Sequence, residues 1–119
     1  MKAAARAGFS NVEISGARGM ERWRWDILVE EAEKAGVRIR SVHCVHHARM
    51  EETAGMREWE AYHRRFYKGI EGLGEVVVVE HVSLRRDNLA RTKSRLETLA
   101  AICSGSPYTL SIENMPFPC

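Results

Sequence analysis

With 119 residues, 45% apolar and 29% charged, the chain has the makings of one globular domain with a modest core. The net charge of +2 is spread along the chain rather than blocked, which gives no reason to expect nucleic acid as a partner. Three cysteines, Cys44, Cys103 and Cys119, lack finger-type spacing and cannot form a paired framework, so they fit a reducing, cytoplasmic compartment. No segment reaches the ~20 apolar residues of a membrane span, and Met1 to Phe9 lacks the apolar run of a leader.

From the N-terminus onward one unit recurs: an amphipathic stretch ends at a glycine and a short β-type run follows. The four copies are "AARAGFSNVEIS", "EEAEKAGVRIRSVHC", "KGIEGLGEVVVVEHV" and "LAAICSGSPYTLSIEN". Their spacing of roughly 30 residues is that of a strand–helix unit. Gly8, Gly36, Gly72 or Gly74, and Gly105 fall where helix ends need a residue that tolerates a left-handed backbone. The predicted strands are Asn11 to Ser15, Arg38 to Cys44, Val76 to His81 and Tyr108 to Glu113.

Between them lie three helical stripes. Met20, Trp23, Ile27, Leu28, Ala32 and Ala35 form the first, and Met56, Trp59, Tyr62, Phe66 and Ile70 the second. Leu89, Thr92, Leu96, Leu99 and Ile102 form the third, with Asp87 or Asn88 as its N-cap. Aromatic residues at this spacing are read as core. Arg22, Arg24, Arg64, Arg65, Arg85 and Arg86 are read as solvated faces.

Helices between all strands imply parallel pairing. Two α/β architectures fit: a small doubly wound sheet, or part of a (β/α)8 TIM barrel spanning residues 1–119. A doubly wound sheet buries both faces, which suits "VVVV" at Val76 to Val79. "NVEIS" and "TLSIE" alternate instead, with Glu13, Ser111 and Glu113 on the parity opposite the aliphatics. A barrel accommodates polar inward residues near its rim, and the barrel is preferred.

The C-terminal ends of the four strands then deliver Glu13, His43, His81 (with Glu80 beside it) and Glu113. That end is where barrel enzymes place their chemistry. Imidazole nitrogens with carboxylate oxygens suit a divalent metal, Mn²⁺, Zn²⁺ or Mg²⁺. A histidine at one strand end is more often a hydrogen-bonded loop residue, and Asn114 could satisfy Glu113 without an ion. It is the coincidence on four consecutive strands that points to a site. His46 and His47 follow in the loop as lining residues, and His63 falls on a helix as a structural or exposed residue. Cys44 has the parity opposite His43 and should face the helices.

On "AGFSNVEIS", "AGVRIRSVHC", "LGEVVVVEHV" and "LSIENMP", in that order and spacing, the chain resembles the xylose-isomerase-like barrel superfamily. That group contains sugar (phosphate) isomerases and epimerases and metal-dependent apurinic endonucleases. The resemblance places the four strands on barrel strands two to five. It implies Glu113 as a metal ligand that also takes part in proton transfer. It implies His43 and His81 as zinc ligands in the endonuclease branch or substrate-side residues in the sugar branch. Glu13, His43, His46 and Asn114 go to the substrate side. The family has eight strands, and the three that carry its remaining aspartate, histidine and glutamate ligands have no counterpart here. The chain therefore reads as the N-terminal half of a larger barrel, with little activity alone. Its expected partners are a sugar or sugar phosphate and either a missing C-terminal half or a second copy in a homo-oligomer. The other readings are an apurinic-endonuclease-like zinc protein and a non-catalytic fragment or interaction module.

Overall fold

In the computed structural model the described residues are 1–15, 20–44, 55–81 and 89–113. Among them the order is α1 (Lys2–Arg6), β1 (Asn11–Ser15), a 3-10 turn (Met20–Arg22), α2 (Trp25–Ala35), β2 (Arg38–His43), α3 (Met56–Gly69), a second 3-10 turn (Glu71–Leu73), β3 (Val76–His81), α4 (Leu89–Cys103) and β4 (Tyr108–Glu113). The strands form one parallel sheet in the order β1-β2-β3-β4. A doubly wound sheet reverses its strand order at a switch point. Strictly sequential order is that of a barrel wall, so the fold is a partial (β/α)8 barrel. No helix among the described residues is long and apolar enough to cross a membrane.

The helices cover one face of the sheet. Val42 and Val78, both fully buried, meet Trp59, Phe66, Ile70 and Leu99 there. Trp59 and Tyr62 are buried, as their spacing predicts, whereas Trp23 is only half-buried and its place in the core is taken by Trp25; Tyr67, outside the predicted stripe, is buried as well. Trp25 also donates its indole N–H to the Met20 carbonyl at 3.0 Å, which pins the 3-10 turn to the start of α2. The stripe predicted from Met20 is thus split, and Ile27 and Leu89, expected inside, are exposed. Both lie in the first turn of their helices.

Gly36 ends α2 with φ of 71°, and its N–H closes onto the Glu33 carbonyl. Of the two candidates before β3, Gly74 takes the positive φ, 68°. The Asp87 or Asn88 cap, Arg85 and Arg86 lie outside the described residues.

The open face carries Glu13, Ser41, His43, Val77, Val79, His81, Ser111 and Glu113, as strand alternation requires. Val77 is 37% exposed, so the valine run is buried on one parity only. β2 contains a register shift: Val12 faces Ile39 and Glu13 faces Ser41, leaving Arg40 without a partner on β1. Ile39 and Val42 are both buried as a result, although strict alternation would place them on opposite faces.

Candidate metal centre

Parallel pairing aligns the C-terminal tips of the strands, and register sets which residues meet. Ser15 lies opposite His43, His43 opposite Val79 and His81 opposite Glu113. His43 and His81 are therefore diagonal neighbours on the open face, and Glu113 flanks them on β4. The shift at Arg40 matters here. Had β2 alternated strictly from the buried Ile39, His43 would point into the core.

The side chains converge. His43 Nε2 is 2.5 Å from His81 Nε2, and the two rings are tilted at 57°. Glu113 Oε2 is 3.0 Å from His43 Nε2 and 3.1 Å from His81 Nε2. All three are half-buried, with the imidazoles more sheltered than the carboxylate. Among the described residues this is the one group of His, Cys, Asp and Glu whose donor atoms cluster tightly enough for an ion.

The donor set fits a divalent metal. Three atoms at these separations can all be reached by one ion with the ~2.0–2.2 Å bonds zinc makes to nitrogen and oxygen. Two neutral imidazoles and one carboxylate favour zinc or manganese over magnesium.

Behind His43 stands a second layer. Its other ring nitrogen, Nδ1, is 3.6 Å from Glu13 Oε1. Glu13 Oε2 accepts a 2.7 Å hydrogen bond from the Ser41 hydroxyl. A carboxylate on the Nδ1 side favours the tautomer with its proton there, the one that leaves the Nε2 lone pair for a ligand bond. The open face thus carries a polar chain from Ser41 through Glu13 and His43 to Glu113 and His81, crossing all four strands.

Glu13, His43, His81 and Glu113 are all brought together, as their strand-end positions predict. His46 and Asn114, expected on the substrate side, lie outside the described residues, as do His47 and the rest of "HVSLRRD" beyond His81. His63 is fully buried, the structural alternative of the two expected for it. Cys44 is also buried on the helix side, and its thiol pKa is pushed well up, first by burial and then by Glu80. Sequence reading missed Ser41 as a partner of Glu13. It also missed the burial of Glu80, whose parity with Val76 and Val78 was the available signal.

No protein-family model and no curated protein matches the chain. Among solved structures the fold is similar to that of a sugar phosphate isomerase/epimerase from Parabacteroides distasonis, with a TM-score of 0.66. The match covers 91% of this chain and 42% of that protein at 17% identity. The chain therefore spans less than half the length of that relative. What the likeness establishes is the fold: consecutive strand–helix units of a (β/α)8 barrel.

Proposed function

We propose that this chain contributes the metal-binding wall of a sugar (phosphate) isomerase or epimerase. The observation that carries the reading is the convergence of His43 Nε2, His81 Nε2 and Glu113 Oε2 at the C-terminal end of parallel barrel strands. The fold shared with a protein described as a sugar phosphate isomerase/epimerase supports it.

His43, His81 and Glu113 would hold the ion, which when bound would supply polarisation of a substrate carbonyl and its neighbouring hydroxyl. Glu113 engages both imidazoles through Oε2, and Oε1 is the atom that accepts the proton from the carbon beside the carbonyl. A proton returned to the former carbonyl carbon, with the hydroxyl proton passed from one oxygen to the other, moves the carbonyl; one returned to the original carbon from the opposite face inverts that centre. The second step needs an acid on the other side of the substrate. We assign that acid to strands beyond these four, in a C-terminal half or a second copy, so this chain alone turns over little or no substrate. Ser41 and Glu13 keep His43 in the tautomer that binds, and Glu13 also lies where substrate hydroxyls would reach the rim.

Calorimetric titration with Mn²⁺ and Zn²⁺ tests the reading. About one ion per chain, lost in Glu113→Gln, is the expected result. A folded chain that takes up neither ion sinks it. The two imidazoles equally suit a zinc-dependent nuclease, for which salt-dependent binding to abasic DNA is the deciding observation.

A further inference from the structure

Directly behind the candidate centre, on the hidden face of the sheet, lies a second cluster of polar side chains. Glu80 precedes His81 and, by alternation, points into the core, where it is fully buried. Its Oε1 accepts a 2.9 Å hydrogen bond from the Tyr67 hydroxyl. Its Oε2 lies 3.7 Å from His63 Nε2, and His63 is also fully buried. His63 Nδ1 is 2.7 Å from the Trp59 carbonyl one turn back on α3, so that nitrogen carries a proton and donates it. The buried Cys44 thiol lies close enough to the same carboxylate for its charge to raise the thiol pKa, and the Cys44 amide donates to the Val79 carbonyl at 2.9 Å.

The arrangement has a simple topology. Cys44 directly follows His43, and Glu80 directly precedes His81. Each of the two candidate imidazole ligands therefore has a chain neighbour in the hidden cluster. The backbone bond from Cys44 to Val79 joins the tips of β2 and β3 beside Glu80. Tyr67 and His63 tie the tip of β3 to α3 through Glu80.

Stability alone is a weak reason for such a cluster: burying a carboxylate is costly, and well-packed apolar residues of similar volume often do as well. What a buried, hydrogen-bonded carboxylate supplies is a single allowed geometry.

We propose that Glu80 is a positioning residue: with Cys44, Tyr67 and His63 it sets, from behind the sheet, the separation and orientation of the His43 and His81 imidazoles. The inference rests on the metal-site reading for its purpose, but not for its test.

The test compares the full chain with Glu80→Gln, which keeps the shape and an acceptor for Tyr67. The ¹⁵N imidazole signals of His43 and His81 are recorded without metal, followed by Mn²⁺ titration. The expected result is displacement of both sets of signals in a folded variant and a loss of Mn²⁺ affinity of about 10–100-fold. Leu99→Ala, in the same core but outside the cluster, should leave both sets of signals in place. A folded Glu80→Gln chain with unmoved His43 and His81 signals overturns the inference. If Glu80→Gln does not fold, Tyr67→Phe decides by the same signals. If the unaltered chain takes up no Mn²⁺, the metal reading falls while the imidazole signals still decide this one.

Discussion

The two faces of the sheet are built from alternate residues of the same strands, yet they do different work. On the hidden face Val42, Val78 and Leu99 are fully buried and closely packed, and the polar groups among them have fixed partners. On the open face Glu13, Ser41, His43, His81 and Glu113 are half-buried or exposed, and their partners lie on other strands. Chemistry needs reachable lone pairs, and stability needs excluded water. A parallel strand supplies both by alternating, so one residue of register separates a ligand from a core group.

The largest expected effect sharpens that division from the hidden side. Phe66 is fully buried beneath the sheet, and Phe66→Ala should cost about 3–5 kcal/mol in urea unfolding. In whatever fraction stays folded, metal uptake at the open face should persist. Loss of metal binding before loss of the fold would mean the two faces are not separable.

A smaller effect follows from two buried phenols on the same side. Burial, with Cys44, Glu21 and Glu80 nearby, raises the pKa of Tyr62, and burial with Glu80 nearby raises that of Tyr67 further. The unfolded chain releases these protons near pH 10 while the fold retains them, so above about pH 10 the unfolded state binds fewer protons and stability falls. The stability they lend is complete below that pH. The fall should approach about 1.4 kcal/mol per phenol for each pH unit, and Tyr62→Phe should remove its share. A urea midpoint that is flat from pH 8 to 11 would contradict the burial of both groups.

The smallest effect belongs to the open face. Glu13→Gln should weaken Mn²⁺ binding about 10-fold, the low end for a carboxylate behind a ligating histidine because Glu13 is itself nearly half exposed. Unfolding should shift by no more than about 0.5 kcal/mol. A large stability loss would place Glu13 with the hidden residues in function, if not in space.

Much of this division could be read from residue patterns. β1 and β4 alternate openly, so Val12 and Ile14 against Glu13, and Leu110 and Ile112 against Ser111 and Glu113, name the two faces. The four rim residues followed from the strand ends alone. Other features were hidden for identifiable reasons. Four successive valines conceal parity, so Glu80 looked like a rim carboxylate beside His81 rather than a core residue. Arg95 is only 3% exposed, with its guanidinium 5.2 Å from the centre of the Trp59 ring. An arginine on a helix reads as solvated until an aromatic face from another helix covers it. The register shift in β2 leaves no mark in composition, because Arg40 is a plausible strand residue on either face.

That shift has a consequence for how the chain can change length. In β2 the residue without a partner is surplus to the alternation: with Arg40 removed, Ile39, Ser41, Val42 and His43 would follow one another inward, outward, inward, outward, as they already point. β3 has no such slack. Losing Val78 from it would turn His81 into the core and push Glu80 out to the rim. Of two neighbouring strands that feed one site, one can absorb a single-codon deletion and the other is inverted by it, a difference in evolvability written in one unpaired residue.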